Sequence, residues 1–319
     1  MKIVFMGTPD FAVNTLESLI SAGHEIALVV TKPDKVKGRG KKLVFSPVKE
    51  VALSHELKVA QPAKCGEAAF VNELESIAPD VIVVVAFGQL LPESVLNIPK
   101  LGCINIHASL LPKYRGAAPI QWAVIDGLKE TGVTTMYMDK GLDTGDIIDQ
   151  RVIELSEDET GGSLFEKLAV LGGEIIIDTL DKLENGTAVR TKQDDSKSSY
   201  ASMLTKDMGL IDFSKDALSL ERLIRGLNPW PSAFTVLNAK LLKIFEADVL
   251  SEEEAVSLRN NISGDAGAGT ILAVDKFSFT VSCGNGALRV KNLQLEGKKR
   301  MDTAAFLLGY DVSVGMRLG

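Results

Sequence analysis

The chain has 319 residues, 45% of them hydrophobic and 24% charged, which suits two globular domains and excludes a disordered or collagen-like polypeptide. Its three cysteines, Cys65, Cys103 and Cys283, are too scattered for a disulfide framework or a paired-cysteine metal site, so they read as buried reduced thiols of a cytoplasmic protein. A formal net charge of -7, taken over the whole chain, argues against a nucleic-acid partner.

Residues 3–6 read as a strand, and Phe11, Val13, Leu16, Leu19 and Ile20 approximate helical spacing after it. Met1-Lys2 leads straight into that strand without a cleavage-site pattern, so no secretory leader is expected. Further strands are expected at 26–30, 81–85, 103–107 and 133–138. The run 81–85 is wholly Val and Ile, the pattern of a strand buried on both faces, and 81–87 is far too short to cross a bilayer. Strands alternating with helical segments predict βαβ units and a mainly parallel α/β sheet with its site at the carboxyl ends of the strands. Residues 187–199 are polar and read as interdomain linker. Beyond them Leu218, Leu220, Leu223 and Ile224 suggest a helix, and β-rich runs at 234–237, 241–245, 269–274, 277–281 and 287–290 predict a small antiparallel β-barrel. The expected division is 1–189 for the α/β domain, 190–206 for the linker and 207–319 for the barrel.

Asn105 and His107 stand two apart in a predicted strand, so they share one face while Ile104 and Ile106 share the other. A wholly polar face suits a buried polar pair or a site, and its place at the carboxyl end favours a site. Asp143 lies in Gly141-Leu142-Asp143-Thr144-Gly145-Asp146, where the two glycines permit a tight turn that could present it. Gly7-Thr8-Pro9-Asp10-Phe11 matches neither a dinucleotide fingerprint nor a P-loop. His24 and His55 fall near predicted helix ends and suit the surface.

Charge by region revises the first impression. Residues 51–200 carry 13 basic and 23 acidic side chains, whereas residues 1–50 carry eight and five. Within 32–49, Lys32, Lys35, Lys37, Arg39, Lys41, Lys42 and Lys49 face only Asp34, and Gly38 and Gly40 punctuate them. The segment reads as a flexible basic loop able to engage phosphates.

Taken together, these motifs resemble the methionyl-tRNA formyltransferase family over essentially the whole chain. The resemblance rests on 7–12, Gly38-Arg39-Gly40-Lys41-Lys42, 46–49, the run 105–112, Arg115-Gly116-Ala117-Ala118-Pro119-Ile120, 141–146 and Asn228-Pro229-Trp230-Pro231. Ala108 stands where the family commonly has Gly. The resemblance implies a Rossmann-like catalytic domain over 1–189, an OB-fold-like barrel as the tRNA-binding domain and 10-formyltetrahydrofolate as donor without a metal. It implies initiator methionyl-tRNA as acceptor and a monomeric, cytoplasmic protein. It also implies Asn105, His107 and Asp143 as catalytic residues, with Phe87, Gly88, Gln89, Leu90, Ser109, Leu110, Leu111 and Pro112 at the folate and Arg39, Lys41 and Lys42 on the tRNA. A sugar-nucleotide amine formyltransferase would share the donor and the catalytic residues but has no use for the basic loop. A non-catalytic RNA-binding protein would explain the loop but not the polar face.

Overall fold

The computed structural model describes residues 1–37, 42–262 and 266–319. It divides into two compact units, one of Met1–Pro119, Glu130–Glu154 and Phe165–Ala201, the other of Ile120–Lys129, Leu155–Leu164 and Ser202–Gly319.

The strands of the first unit are β1 (Lys2–Gly7), β2 (Glu25–Val30), β3 (Lys35–Lys37), β4 (Lys42–Val44), β5 (Val59–Ala60), β6 (Val81–Val85), β7 (Cys103–His107), β8 (Arg115–Gly116), β9 (Glu130–Tyr137), β10 (Ile147–Glu154) and β11 (Tyr200–Ala201). Seven of them form one sheet in the order β10-β9-β7-β6-β1-β2-β5. From β5 to β7 the strands run parallel, and β9 is antiparallel to both β7 and β10. Every residue of β6 is buried, as its continuous Val/Ile run requires when both faces are covered. Each such side chain contributes roughly 1.5–3 kcal/mol by leaving water. The chain builds outward from β1 to β2 and β5, then returns to β6 and β7, so its direction reverses between β1 and β6. Ligands of such sheets bind at the carboxyl ends beside that reversal.

Two expectations differ from what the structure shows. The basic segment is not wholly irregular, because Lys35–Lys37 and Lys42–Val44 pair as an antiparallel ladder. Nor is 190–201 a free linker. Thr191 exchanges backbone hydrogen bonds with Ile147, Gln193 is buried, and β11 pairs with β8. Polarity marks the segment as loop-like and most of its side chains are exposed, but its backbone and Gln193 bond to other parts of the first unit.

In the second unit β12 (Ala233–Leu237), β13 (Lys240–Leu250), β14 (Ile271–Val274), β15 (Phe279–Ser282), β16 (Ala287–Leu295) and β17 (Met301–Asp302) form a six-stranded antiparallel sheet. Its inner face holds Leu242, Ile244, Ile271, Phe279, Val281, Leu288, Val290 and Leu293, against which the helix Ala217–Gly226 packs Leu220 and Ile224. Asp216 caps that helix by accepting from the Ser219 N–H. The terminal segment joins the two edges of the sheet. Leu318 N donates to Gly269 O and Ile271 N to Met316 O beside β14, while Gly319 N donates to Val236 O on β12. Those bonds occupy both open edges, which is how a sheet becomes a barrel.

Candidate active site

β7 carries Asn105 and His107 on the face shared with Cys103, and its backbone is fixed by β6 on one side and β9 on the other. His107 is buried, and its Nε2 lies 2.8 Å from the Tyr114 carbonyl oxygen. A carbonyl only accepts, so Nε2 carries a proton and Nδ1 is left facing the site. Nδ1 stands 3.6 Å from Asp143 Oδ2. That carboxylate oxygen also accepts from the Gly116 N–H at 2.8 Å. Asn105 is half-buried, and its amide makes no hydrogen bond among the described residues. The sequence-predicted trio is therefore placed on one strand end and one adjoining loop, with one polar side chain left for a ligand.

The loops around the trio are held by close backbone approach. Asp143 has a left-handed φ of 54°, which Asp tolerates better than most residues. At Gly145 a Cβ would lie 1.8 Å from the Tyr137 carbonyl, so only glycine lets the turn close against β9. After β7 the chain enters 109–112. There Thr134 Oγ1 donates to Ser109 O at 2.6 Å and accepts from Leu111 N at 3.1 Å, and Gln150 Nε2 donates to both Leu111 O and Thr134 Oγ1 at 2.9 Å. This network, buried at Thr134 and Ser109, ties 109–112 to β9 and β10.

The expected folate residues have unequal surfaces. Phe87 and Leu111 are enclosed in the core, Ser109 is buried, and Gln89 is tied to the backbone at Cys65 and Pro62. Leu90 is 75% exposed, and Gly88 is open, with the Lys32 ammonium drawn over it. Arg39 and Lys41 lie outside the described residues, and Lys42 begins β4. Within the basic segment, hydrogen bonds from Lys49 and from Gln61 hold the Asp34 carboxyl below its usual range.

Sequence reasoning missed Gln193, Arg115 and the backbone groups of Tyr114 and Gly116 as parts of the site. Their roles come from tertiary contacts with no local pattern. Cys103, on the same strand as the trio, is a buried thiol pushed up to about 12 by desolvation, which makes it a poor nucleophile. Among the described residues no group of three or more His, Cys, Asp or Glu has a metal-holding arrangement, and no helix is long and apolar enough to cross a membrane.

Residues 1–180 match the formyl transferase family, and residues 203–311 match the formyl transferase C-terminal domain. Methionyl-tRNA formyltransferase of Lachnospira eligens is 56% identical over 319 residues, covering 100% of both chains. The chain belongs to the methionyl-tRNA formyltransferase family. The enzyme of the same name from Agathobacter rectalis is 53% identical over 315 residues, covering 99% of this chain and 98% of its own. Among solved structures, WlaRD, a sugar 3N-formyl transferase, shares the fold with a TM-score of 0.64 at 21% identity, covering 94% of this chain and 99% of its own. Both halves of the fold expected from sequence, the Rossmann-like sheet and the β-barrel, are present.

Proposed function

We propose that the chain transfers the formyl group of 10-formyltetrahydrofolate to the α-amino group of initiator methionyl-tRNA, giving formylmethionyl-tRNA to start translation. The observation that carries the chemistry is the half-buried Asn105 amide, without a hydrogen-bond partner among the described residues, on the same strand face as His107. In this reading the amine forms a bond to the formyl carbon, the bond to the folate nitrogen breaks, and the amine's proton moves toward that leaving nitrogen. The Asn105 amide donates to the oxygen that gains charge, and the preorganised strand end makes that donation effective. When protonated, His107 donates from Nδ1, since Nε2 is committed to Tyr114. Asp143 stabilises the charged ring and helps move the amine proton. No covalent intermediate with the protein is required, which fits a site without an activated Ser or Cys.

The donor would lie against Leu90, Gly88 and the 109–112 wall. Arg39, Lys41 and Lys42 would engage phosphates or splayed bases of the acceptor arm. The same reading puts the protein in the cytoplasm as a monomer. Acceptor choice is supported by the full-length relatives at 53–56% identity, whereas the sugar formyltransferase shares only the fold. Incubation with labelled formyl donor and either charged initiator tRNA or a sugar-nucleotide amine tests the reading. Label should pass to the tRNA, and transfer to the sugar amine alone would overturn it.

A further inference from the structure

The His107–Asp143 pair is not held together by its own contact. A separation of 3.6 Å is too long for a hydrogen bond, so each partner must be located by other groups. Those groups converge on one stretch of chain, 191–201. His107 is located by the Tyr114 carbonyl, and the Tyr114 N–H donates to Ser199 Oγ at 2.9 Å. The Asp143 carboxylate is located by the Gly116 N–H, and the residues flanking Gly116 bond to the same stretch, Arg115 N to Ser199 O and Ala117 N to Ala201 O, each at 2.9 Å.

Gln193 completes this arrangement. It is 6% exposed, and its Nε2 donates to Asp143 O at 2.9 Å and to Gly145 O at 2.7 Å. Its Oε1 accepts from Arg115 Nε at 3.1 Å and from an Arg115 terminal nitrogen at 2.8 Å. Both amide N–H groups and both carbonyl lone pairs are thus used. The partners also fix which way the amide points, because the reverse orientation would set N–H against guanidinium donors and oxygen against carbonyls. The guanidinium bonds in addition to Asp195 Oδ1 at 2.8 Å, so residues 193 and 195 hold Arg115 from one side.

We propose that Gln193, clamped by Arg115, is a positioning residue for formyl transfer. It fixes the backbone of the Asp143 turn and thereby the distance between the Asp143 carboxylate and the His107 ring. The requirement is for two donors and two acceptor sites on one short planar group. Glu would press oxygen against two carbonyls, and Leu would take the amide donors from two carbonyls and leave the Arg115 guanidinium with Asp195 alone. The proposal rests on the reading of Asp143 as a catalytic residue.

The test is a double-mutant cycle with Gln193→Leu and Asp143→Asn, measured as kcat and KM for donor and tRNA. Gln193→Leu should lower kcat roughly 10–100-fold, the order expected when a reacting group is displaced by about an ångström, and change either KM much less. Combined with Asp143→Asn it should add almost nothing, because both changes act through one carboxylate. The chain has three histidines, and in folded Gln193→Leu the His107 ring signals should move while those of His24 and His55 stay in place. If Gln193→Leu does not fold, Arg115→Lys, which keeps the charge but loses the fork, takes its place in the same cycle. Full multiplication of the two effects, or unchanged His107 signals in a folded variant, would overturn the positioning role. A wild-type kcat for Asp143→Asn would instead overturn the catalytic reading of Asp143, whatever Gln193→Leu does.

Discussion

The His107 ring is anchored by the Tyr114 backbone and not by Asp143. Its Nε2 donates to the Tyr114 carbonyl at 2.8 Å, which leaves Nδ1 as the nitrogen nearer the Asp143 carboxylate, at 3.6 Å. The ring is therefore oriented before any substrate arrives, and the Gly116 N–H separately locates the Asp143 carboxylate beside it. Substituting Asn105, His107 or Asp143 by Ala should leave circular dichroism unchanged. Each change should lower kcat by about 10²–10³-fold, the usual effect of losing one preorganised donor. A folded His107→Ala protein with near wild-type turnover would remove these residues from the reaction.

Gly116 links the two halves of that arrangement, and only glycine fits there. Its φ is 116°, and a Cβ would lie 2.6 Å from the Ala201 carbonyl. Gly116→Ala should cost on the order of 1–3 kcal/mol in urea denaturation, as strained backbone positions do. It should also reduce kcat, because the N–H on Asp143 moves with the displaced strand. Turnover that falls only as far as the unfolded fraction requires would show the two effects to be unrelated.

Thr134 is fully buried, and its hydroxyl serves Ser109, Leu111 and Gln150 at once. Thr134→Val keeps the shape and removes the oxygen. Stranding buried polar groups in this way should cost about 1–3 kcal/mol. Loosening 109–112 should also raise KM for the folate donor more than KM for tRNA. Equal changes in both constants would argue against a donor-facing wall.

The basic segment is the proposed tRNA-binding element. Replacing Arg39, Lys41 or Lys42 singly by Ala should raise KM for tRNA. Each replacement should also reduce the slope of log affinity against log salt, by about one for each phosphate that is no longer neutralised. Formylation at saturating tRNA should be nearly unchanged. An unaltered salt slope in the triple variant would make the segment a solvated surface.

Burial pushes the Cys65 thiol up to about 11 and the Cys103 and Cys283 thiols up to about 12. At pH 8 all three should resist iodoacetamide in the folded protein and react once it is unfolded. The unfolded chain releases these protons first, near the ordinary thiol value of 9.0. The folded state therefore keeps their full contribution below that pH and loses it as pH rises toward 11–12. Cys103→Ala should flatten the alkaline fall of the thermal midpoint, and an unchanged slope would exclude the thiol as a cause.

The sequence by itself determined the strands that carry the site and the polar face at Asn105 and His107. Strand periodicity is a local property, so Val81–Val85 and Cys103–His107 could be read directly, and so could the polar side chains at the strand end. The seven cations of 32–49 were equally legible, since charge can be counted along the chain. What only the tertiary structure decided was the geometry that makes these groups act together. Gln193 sits in a polar run that resembles a linker, yet it is buried because Asp143, Gly145 and Arg115 converge on it from distant parts of the chain. The protonated nitrogen of His107 depends on a backbone carbonyl seven residues away, to which no side-chain identity points. Closure of the barrel likewise depends on the last residues meeting β14 and β12. Backbone hydrogen bonding and close approach are indifferent to side-chain pattern, so a folded chain was required to reveal them.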